Sequence, residues 1–176
     1  MSKISQVFVA TLCVAGLALT GCSSSSTSSA STTTTLGHVT IGTIPLADRS
    51  PAGTAGTAPS VVVPKSAPPT GLEVSDLITG TGPAAKTGDK VTVQYVLATY
   101  SSGGVEQSSW TTQPFTFTLG AGRVIPGWDY GVAGMQAGGR RELIIPANLG
   151  YGAVSPGPGI SANDTLVFVV DLLTIN

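Results

Sequence analysis

The stretch PFTFTLGAGRVIPGWDYGVAGM, residues 114–135, contains a strand pattern followed closely by a helix pattern. In its first half, Phe115, Phe117 and Leu119 occupy alternate positions, and such alternation predicts a β-strand with one buried face. The spacing of the apolar residues changes after the link GAGR. The stretch therefore predicts a strand that leads into a short helix.

The helix is predicted from Pro126 onward, because proline is favoured in the first turn of a helix. Trp128, Val132 and Met135 stand at positions i, i+4 and i+7, so a helix would place them on one face. Four glycines between positions 131 and 139 limit its length. No other segment of residues 70–176 has a comparable helical pattern.

The segment from about Thr70 to Asn176 is long enough to form one compact core. Three further strands are predicted in it, within KVTVQYVLATY (90–100), RRELIIP (140–146) and DTLVFVVDLLTI (164–175). Six side chains are expected in the core rather than in a pocket: Phe117, Leu119, Leu143, Ile145, Leu166 and Leu172. The predicted fold class is α+β, a twisted antiparallel β-sheet wrapped on one short α-helix.

Residues 1–21 have the layout of a secretory signal peptide. Lys3 supplies a positive charge, and the apolar run from Val7 to Leu19 ends in small residues. This run is shorter than the roughly 20 apolar residues that a helix needs to cross a bilayer. A permanent transmembrane anchor is therefore the weaker interpretation.

The sequence LTGC, residues 19–22, resembles the lipobox of bacterial lipoproteins, in which diacylglycerol is attached to the cysteine and the chain is cut before it. Cys22 is the predicted lipidation site, and two acyl chains would hold the protein on a membrane. Cys13 would leave with the signal, so no disulfide is expected. The alternative is an ordinary secreted protein in which Cys22 is a free thiol. We therefore expect a membrane-anchored lipoprotein on the extracytoplasmic side of a bacterial cell envelope.

Residues 22–69 are rich in Ser, Thr and Pro, and this composition predicts a lipidated, flexible tether. Two apolar patches within it, HVTIGTIPL and SVVVP, leave open a second interpretation, in which the segment docks on the domain or on a partner. His38 has no Cys, Asp or Glu cluster beside it, so no metal site is expected there.

The chemistry available to residues 70–176 is narrow, because they contain no Cys, no His, no Gly-x-Ser-x-Gly elbow and no P-loop. Hydrolysis through a Ser-His or Cys-His pair is excluded, and no metal or cofactor is expected. Eight basic and nine acidic residues are scattered along the chain, so we expect no nucleic-acid partner. The carboxylates are expected at the surface or in turns: Glu73, Asp76, Asp89, Glu106, Asp129, Glu142, Asp164 and Asp171.

One reaction needs none of the missing groups, namely rotation about an X-Pro peptide bond. Nothing is transferred, and the barrier of about 18–20 kcal/mol is lost amide resonance. The twisted transition state is less charge-separated than the planar amide. An apolar cleft lined by aromatic side chains therefore favours it, while one or two hydrogen bonds hold the peptide in the twisted geometry.

The run PFTFTLGAGRVIPGWDYGVAGMQAGGRRELIIPANLGYG, followed by TLVFVVDLL, resembles the FKBP-type peptidyl-prolyl cis-trans isomerases. The resemblance covers essentially residues 70–176 and has no gap from Pro114 to the C-terminus. It implies a proline pocket with Trp128 as its floor. It also implies that the backbone N–H of Ile125 and the hydroxyl of Tyr151 donate hydrogen bonds to ligand carbonyls. The implied pocket residues are Tyr95, Phe115, Val124, Ile125, Trp128, Tyr151, Ile160 and Phe168.

The sequence departs from the family pattern within SSGGVEQSSW, residues 101–110. Many members have Phe-Asp here, the Phe lining the pocket and the Asp polarising a ligand contact. The aligned pair in this chain is either Val105-Glu106 or Glu106-Gln107, depending on where a gap falls. Neither pair is Phe-Asp, which affects the expected catalytic efficiency and macrolide affinity. The segment AVSPGPGI, residues 153–160, corresponds to the flap over the cleft.

Three functions are compatible with the sequence. The first is a peptidyl-prolyl isomerase that assists the folding of exported or envelope proteins. The second is a weakly catalytic chaperone or scaffold that binds proline-containing segments in the same cleft, and the third is a structural lipoprotein whose tether is its main feature. Proline-containing polypeptides and macrolide inhibitors are the expected ligands, and we expect a monomer.

Overall fold

A computed structural model of the chain describes residues 34–36 and 39–176. The predicted signal segment, the predicted lipidation site Cys22, and His38 lie outside these residues. Eight strands are present in the described part: β1 Thr34–Leu36, β2 Val39–Thr43, β3 Leu72–Ile78, β4 Lys90–Thr99, β5 Val105–Ser108, β6 Phe115–Thr118, β7 Arg140–Ile145 and β8 Leu166–Ile175. One α-helix, α1 Pro126–Gly131, accompanies them, with 3-10 turns at Leu46–Asp48, Ser109–Thr111 and Ala147–Leu149. Among the described residues, no helix is long and apolar enough to cross a bilayer.

All eight strands belong to one sheet, in the order β1-β2-β3-β7-β8-β4-β5, with β6 paired to β4. Neighbouring strands are antiparallel except β2 and β3, which are parallel. The predicted fold class, an antiparallel sheet with one short helix, is confirmed.

Helix α1 packs on the inner face of this sheet because two of its residues have no side chain. A Cβ atom added to Gly131 would lie 2.8 Å from Leu143 of β7, and one added to Gly127 would overlap Ile145 of the same strand. Trp128 and Val132 are buried as predicted, and so is Met135, although the helix ends before Val132. The six predicted core residues are all buried: Phe117, Leu119, Leu143, Ile145, Leu166 and Leu172.

The outer face of the sheet is covered by residues 39–69, which we call the N-terminal arm. This differs from the predicted flexible tether over the same residues. Strand β2 of the arm pairs with β3, and Ile44 is only 1% exposed, in a second apolar cluster with Ile144 and Val167. These outward side chains of β7 and β8 need cover from water, and the apolar patches of the arm provide it.

A buried polar network also fixes the arm to the sheet. The Arg140 guanidinium, on a residue 1% exposed, pairs with Asp171 and donates hydrogen bonds to the carbonyls of Ala52 and Thr57. The N–H and hydroxyl of Ser50 both donate to the Glu142 carboxylate, at 2.9 and 2.6 Å. Burial raises the pKa of Glu142, and these two bonds partly oppose the rise.

The expected surface position of the carboxylates is therefore wrong for three of them, Glu142, Asp164 and Asp171. Each accepts hydrogen bonds that offset the free-energy cost of burying its charge. Asp171 is paired with a guanidinium, Glu142 accepts from Ser50, and Asp164 accepts from the N–H and hydroxyl of Ser101.

Candidate functional site

A cavity of about 420 Å³ opens between α1, the inner face of the sheet and the loop after β7. Its walls include seven of the eight predicted pocket residues. The eighth, Ile160, is not among the lining residues and is buried in the core cluster. The lining is Tyr95, Gln107, Phe115, Gly122, Arg123, Val124, Ile125, Trp128, Tyr151 and Phe168.

Trp128 forms the centre of an aromatic cluster at this cavity. Its ring meets those of Tyr95 and Phe168 edge to face, with centroids 5.3 and 5.2 Å apart, and Phe115 approaches at 6.0 Å. These are the arrangements that aromatic quadrupoles favour. The indole is 4% exposed, and in the described part of the chain its N–H has no hydrogen-bond partner. Packing against the neighbouring aromatic rings, rather than a polar bond, holds the ring in place, and the ring also lines the cavity.

Three different strands supply the walls. Tyr95 lies on β4 and Phe168 on the antiparallel neighbour β8, where Tyr95 is paired with Val170. Residues two apart on a strand point to the same face, so Phe168 stands diagonally across from Tyr95, with their centroids 5.9 Å apart. Phe115 begins β6 on the other side of β4. The alternation in the sequence thus produces both core and cavity from the same sheet face.

Two hydrogen-bond donors at the cavity are unused. The carbonyl of Ile125 accepts from Trp128 N–H at 2.9 Å, but within the described residues nothing accepts from Ile125 N–H. The Tyr151 hydroxyl likewise has no partner there. Burial, and secondarily the neighbouring Tyr95, raises the pKa of Tyr151, so its hydroxyl keeps its proton throughout the neutral range. Both groups can donate to the carbonyls of a bound peptide.

Gln107 was not singled out among the predicted pocket residues, yet it lines the cavity. Its neighbour Glu106 points elsewhere: it accepts from the Ser102 hydroxyl and lies against Gly159 of the predicted flap. Successive residues of a strand point to opposite faces of the sheet, so Gln107 and Glu106 diverge; the register of β5 also shifts between Gln107 and Val105. The place of Gln107 in the cavity wall favours the Glu106-Gln107 alignment, which would put a neutral amide where the resemblance implies an Asp in many family members.

The cavity has little acid–base chemistry. Its lining includes no Asp, Glu, His, Cys or Lys, and Arg123 is its one charged side chain. Among the residues that the structure describes, no group of three or more His, Cys, Asp or Glu side chains could hold a metal ion. What the arrangement can do is bury an apolar ring against Trp128 while orienting the peptide on both sides of it.

A short helix packed on an antiparallel sheet, with an aromatic cavity beside it, is the arrangement that the resemblance to proline isomerases implied. The chain belongs to the FKBP-type peptidyl-prolyl cis-trans isomerase family, whose model matches residues 82–173. Its activity is accordingly the isomerisation of X-Pro peptide bonds.

Individual relatives support the assignment. An "FK506-binding protein" of Streptomyces anulatus is 48% identical over 119 residues, which are 66% of this chain and 96% of that protein. "FK506-binding protein 4" of Dictyostelium discoideum is 47% identical over 106 residues, 60% of this chain and 29% of that one. The crystal structure of FkpA from Escherichia coli matches with a TM-score of 0.54 and 39% identity, covering 61% of this chain and 49% of that chain. The match thus spans nearly the whole of one relative and less than half of the other two.

Proposed function

We propose that this protein isomerises X-Pro bonds of exported polypeptides at a bacterial cell envelope, where a lipid on Cys22 holds it to a membrane. The observation that carries the catalytic part is the pair of unused donors, Ile125 N–H and Tyr151 hydroxyl, beside the buried face of Trp128. Uncatalysed isomerisation takes tens of seconds or more, so exported chains that fold through such a step gain from an isomerase.

The proposed mechanism uses orientation and desolvation. The proline ring packs on Trp128 between the edges of Tyr95 and Phe168. The two donors bind peptide carbonyls and fix the chain on either side of the rotating bond. The apolar walls favour the twisted amide over the planar one, because twisting reduces charge separation. No proton is transferred in this mechanism.

The envelope part of the proposal is supported by the sequence of residues 1–22. A charged start, an apolar run of moderate length and LTGC at its end together indicate export followed by lipidation. Mass spectrometry of the protein from its host tests this: we expect a diacylglyceryl group at Cys22, and Cys22→Ser should appear in the soluble fraction. An unmodified Cys22 thiol would instead support the alternative, an ordinary secreted protein without a lipid.

We also propose that the cavity binds FK506-type macrolides, since two of the relatives carry FK506-binding in their names. Gln107 replaces a charged acceptor with a neutral one, and charge-assisted hydrogen bonds are roughly twice as strong as neutral ones. We therefore expect macrolide binding that is weaker than in members with Asp at this place.

The test is cis/trans exchange of a short X-Pro peptide, measured by magnetisation-exchange NMR with the purified protein. We expect acceleration that a macrolide abolishes and that falls in Trp128→Phe and Tyr151→Phe. Trp110→Phe and Tyr100→Phe are matched controls, since neither residue lines the cavity. Equal loss in the controls and the cavity variants would overturn the site assignment.

A second function, binding of proline segments with little turnover, is favoured by one observation, the neutral Gln107 in the cavity wall. It predicts chemical-shift changes around Trp128 on adding the peptide, with exchange no faster than in buffer. A structural lipoprotein predicts neither binding nor acceleration. Sedimentation of the same sample tests the expected monomer.

A further inference from the structure

A second hollow, of about 660 Å³, lies beside the aromatic cavity. The two hollows share Gly122 and Val124 in their walls, so they meet at the loop between β6 and α1. We call the second one the side groove. Its far wall comes from helix α1 and the residues just after it, through Pro126, Tyr130 and Ala133.

The ridge between cavity and side groove is fixed. The Asp129 carboxylate accepts hydrogen bonds from the N–H groups of Gly120 and Gly122, at 2.7 and 3.0 Å. Both glycines have positive φ, 74° and 64°, a conformation that glycine adopts without strain. Because each oxygen of Asp129 accepts a hydrogen bond from the loop, the carboxylate braces the ridge.

The remaining surface of the side groove is mainly apolar. Tyr130 is 40% exposed although it is a large aromatic residue, and Pro126 and Ala133 lie beside it in the groove wall. Exposed aromatic residues in a concave surface favour the binding of another apolar side chain. No Lys or Arg lines this groove.

We propose that the side groove binds the client chain beyond the proline, and that Tyr130 selects an apolar or aromatic client side chain a few residues from the X-Pro bond. This inference rests on the proposed isomerase function. A polypeptide bound in the aromatic cavity must leave it across its rim, and a chain that crosses the ridge at Gly122 and Val124 enters the side groove. The exposed Tyr130 ring with Pro126 and Ala133 beside it favours an apolar occupant, and the one charged side chain in the wall, Asp129, is bound to the loop.

Two peptides with the same X-Pro core test the proposal. One is a tetrapeptide that fills only the cavity, and the other is extended by about five residues on each side with a Phe in each extension. The variant is Tyr130→Ala, and Leu173→Ala, at an apolar residue of β8 that is 38% exposed, is the matched control. Isomerisation by NMR exchange and affinity by Trp fluorescence are measured for both peptides.

We expect Tyr130→Ala to lower kcat/KM and affinity for the long peptide by about threefold to tenfold, the usual range for one aromatic contact. The tetrapeptide should change by less than twofold, and Leu173→Ala should change neither. Equal losses with both peptides, or no loss with the long one, would overturn the proposal. A change in self-association of Tyr130→Ala, with peptide affinity intact, would also overturn it and assign the groove to a second copy.

The same measurements distinguish failure of the proposed isomerase function from failure of the side-groove proposal. If wild type accelerates neither peptide but binds the long one more tightly than Tyr130→Ala does, the groove stands and the catalytic proposal fails. If neither peptide binds to wild type, both proposals fail.

Discussion

Replacing Asp171 by Asn should destabilise the fold far more than replacing Asp76 by Asn, although each aspartate faces an arginine through two hydrogen bonds. Asp171 binds Arg140 at 2.5 and 2.7 Å, and Asp76 binds Arg141 at 2.7 and 3.0 Å. The difference lies in burial. The side chains of the first pair are 1% and 9% exposed, whereas the Asp76 side chain is 47% exposed.

The expected magnitudes follow from this burial. Asp171→Asn leaves the Arg140 guanidinium without a counter-charge in a site that water does not reach, and breaking a buried pair in this way costs about 3–5 kcal/mol. Asp76→Asn removes a carboxylate that is 47% exposed to solvent, where a lost pair costs about 0–1 kcal/mol, and Arg141 keeps its hydrogen bonds to the carbonyls of Gly131 and Ala133. A small domain has about 5–15 kcal/mol of stability in all, so the first variant should be marginal and the second near normal.

Urea unfolding of both variants, followed by Trp fluorescence, measures the difference. Hydrogen exchange provides a second readout, because Arg140 also binds the carbonyls of Ala52 and Thr57. We expect the amides of the N-terminal arm to lose protection in Asp171→Asn before those of β4 and β8 do. Losses that agree within about 0.5 kcal/mol between the two variants would refute the reasoning from burial.

Three further predictions concern charge. Isomerisation should vary less than about twofold between pH 6 and 9, because the cavity lining contains no Asp, Glu, His, Cys or Lys and burial raises the pKa of Tyr151; a bell-shaped rate profile would contradict this. The raised pKa of Glu142 means that the folded state binds a proton more readily than the unfolded one, so this group's contribution to stability falls as pH rises above the ordinary carboxyl range. Wild type should therefore lose more unfolding free energy than Glu142→Gln between pH 5 and 7, as measured by urea unfolding at both pH values. Equal losses in the two proteins would show that Glu142 does not cause the pH dependence. Gln107→Asp should raise macrolide affinity about threefold to tenfold by calorimetry, while Glu106→Gln, which faces the flap, should leave it unchanged.

Much of the sheet could be predicted because its inner face alternates regularly. Strands β4, β6, β7 and β8 follow from their apolar spacing, and the six core residues follow with them. Strands β1, β2, β3 and β5 were not predicted. Strand β5 is short, with charged, amide and hydroxyl side chains, and β2 lies within a Thr- and Pro-containing stretch.

Docking of the N-terminal arm, left open by its two apolar patches, has a further signal in the sequence. Strand β8 contains the continuous apolar run LVFVV, which is typical of a strand buried on both faces rather than one. Val167 and Val169 are both fully buried, and neither belongs to the face that packs on α1. The sequence does not say what covers them, since the arm has no periodic pattern and its contacts span up to 92 positions.

The candidate site was accessible through family resemblance rather than through periodicity. Seven of its residues come together in the structure, but alternation alone cannot separate Phe115, in the cavity wall, from Phe117, in the core. Gln107 could not be placed from the sequence, because the gap in the alignment and the register shift of β5 both fall beside it.

If Cys22 carries the proposed lipid, strand β1 and the N-terminal arm would limit how far the catalytic domain can stand from a membrane. Were the domain to begin at Thr70, the chain from Cys22 could extend over about 165 Å at the usual 3.3–3.6 Å per residue. The sheet instead begins with β1 at Thr34, twelve positions after Cys22, which allows only about 40 Å. With a lipid on Cys22, the aromatic cavity would work close to the bilayer surface, and the clients within its reach would be polypeptides that have just left the membrane.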